Sequence, residues 1–178
     1  LKRGAEKSEY GVKLWPQAYA SAIALYPNLT VSDPVLRELF RDKRFRQALS
    51  LGIDRTLLNR VLYFWLAQPS ANTVLADSPF AGRETGGAIE YNGDKANALL
   101  EEIGLTERNS DGFRLLPDGR PLELIAETAG EKSIEIDALE LIKDTWAEIG
   151  IDLYPRPSQR DVLRNRAFSG ELALSVWS

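Results

Sequence analysis

Carboxylates are the side chains of this sequence best suited to chemistry, because the 178 residues include no histidine and no cysteine. Without those two residue types, Ser-His-Asp and Cys-His arrangements cannot be assembled, and the commonest transition-metal ligands are missing. Two acid pairs remain, Glu101 with Glu102 and Glu123 with Glu127. Adjacent helical residues do not face each other, and we expect the second pair on the exposed side of an alternating strand. Neither pair predicts an acid-base site, and we predict no catalytic residue and no metal site.

A basic cluster between positions 37 and 60 is the other chemical candidate. Its members are Arg37, Arg41, Lys43, Arg44, Arg46, Arg55 and Arg60. Acidic residues are interleaved with them, and amphipathic helices require polar residues on their outer side, so we interpret the cluster as a solvated helix surface. The net charge of −4 also argues against a nucleic-acid partner, since phosphate binding needs a basic face.

Turn motifs and tryptophans complete the set of candidates. Asp111-Gly112 and Asp118-Gly119 resemble pieces of calcium loops, but they lack oxygen ligands at alternate positions and are typical of hairpin turns. Trp65 and Trp146 are expected to pack in the core, whereas Trp15 and Trp177 lie at predicted strand ends, where side chains can line a cleft.

The apolar spacing predicts an alternation of strands and helices that positions these side chains. Strands are predicted at 12–15, 22–26, 113–116 and 122–126 (a hairpin), 151–154 and 172–177; helices are predicted at 34–40, 42–53, 54–65, 92–103, 131–149 and 158–168. A long surface loop is expected at 68–91, and the strand at 22–26 is expected to be buried on both faces. The length favours one domain, an α/β fold with a mixed sheet flanked by helices.

Local signals support the helix boundaries and the core. Side chains that can cap a helix N-terminus precede four of the predicted helices: Asp33, Asp42, Asp54 and Ser158. The helices at 42–53 and 131–149 are expected to pack on the sheet through Phe45, Leu49, Ile53, Leu141, Ile142 and Ile149.

The run from Asp42 to Arg55, DKRFRQALSLGIDR, resembles the signature helix of the family 5 extracellular solute-binding proteins. These are the receptors of peptide, opine and nickel ABC importers. Further segments agree with the family in order: Tyr26-Pro27-Asn28, Ala67-Gln68-Pro69-Ser70, Tyr91 to Ala96, Trp146 to Ile151, and Gly170 to Trp177. Two departures are Gly93, where the family commonly has proline, and Trp65, near a position where it often has glycine.

The resemblance implies that residues 1–178 form most of the C-terminal lobe of a two-lobed, type II-like periplasmic binding protein. It also implies a peptide or small-solute ligand, docking on the permease subunits of an ABC transporter, a periplasmic location, no cofactor and no enzymatic activity. Lack of cysteine suits an oxidising compartment, and the absence of methionine with Leu1 first leads us to expect a fragment without a visible leader. The other lobe would then lie outside this sequence.

The binding residues that the resemblance implies are Tyr26, Asn28 and Trp177. An aromatic residue at the end of the last strand is expected to line the ligand cavity in relatives. Asn28 offers a donor and an acceptor, and we expect it near the same crossing as Trp177.

Two alternatives remain open at this point. A carboxylate-dependent hydrolase would need two acids converging in a pocket, one with a raised pKa. A docking-only module would contact a transporter without holding a ligand. Ligand contacts from this chain would separate the last possibility from a binding lobe.

Overall fold

The computed structural model describes residues 10–13, 21–70, 79 and 89–177, with the side chain of Trp177 excepted. Within these residues the chain forms four strands: β1 (Ala24–Pro27), β2 (Glu123–Thr128), β3 (Asp152–Pro157) and β4 (Leu174–Trp177). It also forms six helices: α1 (Pro34–Arg41), α2 (Lys43–Leu51), α3 (Arg55–Leu62), α4 (Gly93–Glu102), α5 (Ser133–Glu148) and α6 (Arg160–Phe168).

Side-chain caps begin four of these helices. Asp33 accepts hydrogen bonds from the backbone N–H groups of Val35 and Leu36, and Asp42 and Asp54 cap α2 and α3 in the same way. Asn92 caps α4. Because each cap satisfies backbone donors that the first helical turn leaves unpaired, these boundaries are encoded locally, and three of the four predicted caps are confirmed.

The sheet is mixed, with strand order β1-β4-β2-β3. β2 runs parallel to both β3 and β4, while β1 pairs antiparallel with β4. Helix α5 connects β2 to β3, and α6 connects β3 back past β2 to β4. The predicted α/β fold with a mixed sheet flanked by helices is confirmed.

One side of the sheet, here called the inner face, carries the hydrophobic core. Leu124, Ala126, Leu153, Leu174 and Val176 project from it and are buried. They pack with apolar side chains of α2, α4 and α5 in a single cluster. Trp146 of α5 is 1% exposed, as predicted, and its indole N–H donates to the Leu49 carbonyl of α2 at 3.1 Å.

The buried stripe of α5 is shifted from the predicted one. Leu139 is fully buried, whereas Leu141 is only half-buried, so the assignment of Leu141 to the core is wrong. Ile142 and Ile149 are buried as predicted. The stripe that packs on the sheet follows positions 135, 138, 139, 142, 145 and 146, and it includes two polar residues, Glu135 and Thr145, which hydropathy alone places outside.

Helix α3 differs most from its predicted packing. Val61 and Trp65 are exposed rather than buried, and Asn59 is the one buried residue of the helix. The helix ends at Leu62, so Trp65 lies beyond it. The periodicity that predicts an inner apolar side therefore continues past the last helical residue.

Several strand predictions also need correction. β1 is not buried on both faces, because among the described strands it pairs only with β4 and Tyr26 is exposed. The first arm of the predicted hairpin makes two isolated bridges, Arg108 with Arg114 and Leu115 with Pro121, instead of a ladder. Ser158 does not cap the last helix: Gln159 stands at that position without a side-chain hydrogen bond.

A buried arginine, Arg114, connects the carboxyl-terminal regions of two helices. Arg114 is 1% exposed, and its Nε donates to the carbonyl of Ile149 at the end of α5 at 2.8 Å. Its Nη1 donates to the carbonyl of Leu105 beyond α4, and its Nη2 donates to Asn97 at 2.6 Å. A cation suits this place because helix carboxyl ends carry partial negative charge.

Parts of two predicted elements lie outside the described residues. Val12 and Lys13 are described and are not in a strand, while 14–15 of the same predicted strand are not described. Most of the predicted loop at 68–91 falls outside as well. Among the described helices, none combines the length and the apolar character needed to cross a bilayer.

We expect Leu139→Ala to lower the free energy of unfolding by about 2–5 kcal/mol, because it opens a cavity in the core. Leu141→Ala, two positions along the same helix, is the matched control and should cost about 1 kcal/mol or less. Chemical denaturation of both variants measures the difference. Equal losses at the two positions would contradict the observed orientation of α5.

Candidate functional site

The two loops that follow β2 and β3 leave the sheet toward opposite faces. The first loop leads into α5, which packs on the inner face. The second leads into α6, whose Arg166 reaches Glu127 on the other side of the sheet, here called the outer face. In open α/β sheets, ligands bind outside the carboxyl ends of the strands where neighbouring connections diverge in this way. These two loops are therefore the place in this fold where a ligand site is expected.

A cavity of about 450 Å³ lies between them and opens to solvent. Its lining residues are Ala129, Gly130 and Glu131 from the first loop with Pro157, Ser158, Gln159 and Arg160 from the second. The size is in the range of small-molecule sites. We call this place the loop cavity.

Backbone contacts fix the two loops against each other. The Ser158 N–H donates to the Thr128 carbonyl at 2.9 Å. Gly130 has a positive φ of 67°, and a Cβ there would lie 3.1 Å from Cβ of Pro157. Both the conformation and the close approach favour glycine, so the floor of the loop cavity is set by backbone rather than by mobile side chains.

An ion pair stands at the rim of the loop cavity. Arg160 donates from Nε to both carboxylate oxygens of Glu131 at 3.0 Å and from Nη2 to Oε2 at 2.5 Å. These hydrogen bonds lower the pKa of the Glu131 carboxyl and raise the pKa of Arg160. The two side chains remain about half exposed, so their charges are available to a ligand.

A second carboxylate is buried behind this rim. Glu135, in the first turn of α5, accepts a hydrogen bond from the hydroxyl of Thr128 at the end of β2, and both residues are buried. Burial and the nearby charge of Glu135 raise the pKa of Tyr63. The amino-terminal end of α5 thus has one carboxyl group at the surface and one inside, at the end of the helix where the dipole favours negative charge.

The outer face has its own buried acid, contrary to the sequence prediction. Glu127 is 2% exposed rather than solvated, because α6 covers this end of β2. It accepts from Arg166 at 2.8 Å and lies 3.8 Å from Arg156. Glu123 is exposed, so Glu123 and Glu127 do not form an acid-base pair.

The other predicted acid pair is also divided between arginines. Glu102 binds Arg44 at 2.8 Å, and Glu101 lies 3.8 Å from Arg114. Among the described residues, no three carboxylates, histidines or cysteines are placed to hold a metal ion. Glu101, Glu102 and Glu127 thus each lie beside a guanidinium group.

Asn28 lies just before the start of β4, at the end of that strand opposite Trp177. It follows Pro27, which pairs with Leu174 at the start of β4, whereas Trp177 ends β4 opposite Ala24. The expectation that Asn28 and Trp177 lie near the same crossing is therefore wrong. The Asn28 amide donates to the carbonyls of Gly170 and Leu172 and accepts from Thr30, so it closes the turn before β4.

Tyr26 and Trp177 lie nearer the loop cavity along the strands. Tyr26 is 45% exposed and pairs with Ser175, which in turn pairs with Glu127 of β2. Because β4 and β2 are parallel, Trp177 stands two residues beyond that row, level with Ala129 of the cavity lining. Strand β4 therefore ends, at Trp177, at the edge of the sheet where the loop cavity opens.

The loop residues Gly130, Glu131, Ser158 and Arg160 were not predicted as site residues from the sequence. A signal for them existed in the strand-helix-strand-helix-strand order, since loops after parallel strands share one edge. No local sequence motif predicts the strand order that brings these loops together.

Comparison with known proteins identifies the chain. The family model described as bacterial extracellular solute-binding proteins, family 5 Middle, matches residues 3–178. The chain belongs to this family of solute-binding proteins. Its members bind solutes and are not enzymes, which confirms the prediction that this chain is not an enzyme and removes the hydrolase alternative.

Individual relatives show how much of a family 5 protein the chain represents. It is 37% identical to a solved oligopeptide-binding protein OppA, with a TM-score of 0.86, and covers 92% of its own length but 26% of that chain. It is 28% identical to the oligopeptide-binding protein AppA of Bacillus subtilis over 65% of this chain and 21% of AppA. NikA from Brucella suis, solved with Fe(III)-EDTA, shares the fold at 22% identity and a TM-score of 0.71, over 87% of this chain and 30% of NikA. The chain thus spans about a quarter of the length of its relatives.

The ion pair at the loop cavity predicts the titration of Glu131. We expect its carboxyl to titrate below the ordinary value of 4.5 and to return toward that value in Arg160→Gln, because the guanidinium favours the charged form. The contribution of the pair to stability is accordingly present above pH 4.5 and is lost as the pH falls through the lowered pKa. NMR titration of the Glu131 side chain measures both. Arg44→Gln, which removes a different exposed ion pair, should leave the pKa of Glu131 unchanged; a shift there instead would assign the effect to net charge.

Proposed function

We propose that the chain is one lobe of a two-lobed receptor that binds peptides or related small solutes in the loop cavity. The observation that carries this proposal is the cavity itself, which lies where the connections of a parallel sheet diverge and carries an exposed ion pair on its rim. Membership in family 5 and the 37% identity to an oligopeptide-binding protein support a peptide ligand.

The chemistry of the rim suits a ligand with charges of both signs. The carboxylate of Glu131 can accept from an ammonium group, and the guanidinium of Arg160 can donate to a carboxylate. A short peptide offers all of these partners along its length.

A second lobe is part of the proposal because the loop cavity is open on its outer side. Ligand pockets bury most of the ligand surface, and a shallow cavity between two loops cannot do so alone. Relatives roughly three times the length of this chain supply enough sequence for an opposing lobe. We propose further that the receptor acts in the periplasm and delivers its ligand to the permease subunits of an ABC transporter.

Calorimetric titration of the two-lobed protein containing this chain with tri-, tetra- and penta-alanine tests the function. We expect saturable binding of at least one peptide and a loss of affinity of about tenfold in the double variant Glu131→Gln, Arg160→Gln, the size of one charge-assisted contact. Arg120→Gln is the matched control, because Arg120 pairs with Asp33 and Asp118 at exposed sites outside the loop cavity. Equal affinity in the double variant would place the ligand elsewhere, and no binding of any solute would favour a docking-only module.

Trp177 provides a separate test of where the ligand lies. Since its backbone ends level with the cavity lining, we propose that it contributes to ligand contact, together with Tyr26 on the neighbouring strand. Trp177→Ala is expected to weaken peptide binding while leaving the Tm of the ligand-free receptor nearly unchanged. A variant with a strongly lowered Tm and intact affinity would instead make Trp177 a core residue.

A further inference from the structure

Three consecutive apolar side chains are displayed to solvent just after α3. Phe64, Trp65 and Leu66 are 75%, 60% and 70% exposed. Single exposed apolar residues are common on protein surfaces, but three large ones in a row form a patch, and such patches mark interaction sites. We call these residues the apolar turn.

The backbone of the apolar turn is strained. Phe64 and Trp65 have positive φ values of 52° and 65°, in the left-handed region that bulky residues seldom adopt. Glycine would occupy both positions without this strain. The aromatic side chains are thus held at a conformational cost, and their exposure means that packing within the described residues does not offset it.

The turn is nevertheless fixed in place. Asn59 is 9% exposed, and its side chain donates to the Ala67 carbonyl at 2.8 Å and accepts from the Ala67 N–H at 3.1 Å. The Trp65 N–H donates to the Asn59 carbonyl at 3.0 Å, and the Leu66 N–H donates to the Tyr63 carbonyl at 2.8 Å. A buried side chain therefore spans the base of the turn and presents its tip as a defined structure.

The charge around the turn differs from that of the whole chain. Residues 55–70 contain two arginines and no acidic residue, whereas the protein has a net charge of −4. Arg55 is directed inward, where it binds Ser50, while Arg60 is exposed on the last turn of α3. The apolar tip is thus accompanied by positive charge at its base.

We propose that the apolar turn inserts into the interfacial layer of an anionic lipid bilayer, with Arg60 at the headgroups. Tryptophan and phenylalanine favour the membrane–water interface, and basic residues beside them bind anionic lipid. The area decides against a second copy of the chain: aromatic side chains bury roughly 150–250 Å² each. Three partly exposed side chains therefore offer only about half of the ~800 Å² per partner that a stable interface needs. A bilayer requires no matching surface, and this inference does not depend on ligand binding in the loop cavity.

Vesicle co-sedimentation of the two-lobed protein that contains this chain tests the proposal. We expect binding to vesicles of phosphatidylcholine with one quarter phosphatidylglycerol, and weaker binding to phosphatidylcholine alone or at high salt. The double variant Trp65→Gly, Leu66→Ser should reduce the partition coefficient at least about tenfold, since binding scales with buried apolar area. Arg60→Gln should reduce binding to the anionic vesicles selectively.

Matched controls separate insertion from unfolding and from general stickiness. Trp65→Gly alone should keep or raise the Tm, because glycine accepts the positive φ. Phe168→Ser removes another exposed aromatic side chain, 83% exposed at the end of α6, and should leave vesicle binding unchanged. Equal vesicle binding by the double variant and the unmodified chain would overturn the proposal. So would a concentration-dependent dimer that the double variant abolishes, since it would assign the turn to a second copy.

Discussion

The hydrogen bonds donated by the Arg114 guanidinium are the interactions on which the arrangement of this fold depends most. This buried group donates to the carbonyl of Leu105 beyond α4 and to the carbonyl of Ile149 at the end of α5. The backbone N–H of Arg114 donates to the Gly150 carbonyl at 2.7 Å. Burial and the neighbouring charge of Arg108 lower its pKa, while Glu101 opposes that shift. Removing such a group would leave several buried carbonyls without donors, and unpaired buried polar groups are strongly destabilising.

The consequence of that contact reaches the opposite edge of the sheet. Arg114 fixes the carboxyl end of α5, and α5 packs against β3 and β2. The position of the amino-terminal turn of α5 therefore depends on this contact. Glu131 lies just before this turn, and Glu135 lies within it. The charged rim of the loop cavity is therefore positioned by a cation at the far end of the same helix, through a rigid element of 16 residues.

Features encoded by neighbouring residues could be predicted from the sequence. The caps Asp33, Asp42 and Asp54 act within three residues of their own positions, and their helices begin where expected. Glu127 and Leu141 could not be placed correctly, because their burial depends on which helix covers each side of β2 and on the rotation of α5. Hydropathy records neither of these non-local facts.

In the candidate site, too, local features could be predicted from the sequence and long-range placement could not. Trp177 was predicted at a strand end, and its backbone does end there, level with the cavity lining. Asn28 was expected beside it from a family-like segment, but an antiparallel β1 carries Asn28 to the other end of β4. The proximity of the loops after β2 and β3 follows from the strand order and therefore could not be predicted from either loop alone. A site made by topology has no contiguous signature for a sequence to reveal.

The ion pair at the loop cavity also explains why an open lobe would hold a ligand weakly. Glu131 and Arg160 face water, where an exposed pair contributes little energy and is screened by salt. The same charges interact far more strongly with a ligand once water is excluded, since the electrostatic energy rises as the effective dielectric constant falls. In a two-lobed receptor, most of the binding energy from this rim would thus become available only on closure. Ligand recognition and lobe closure would then be coupled, and the loop cavity would form one half of a site that the second lobe completes.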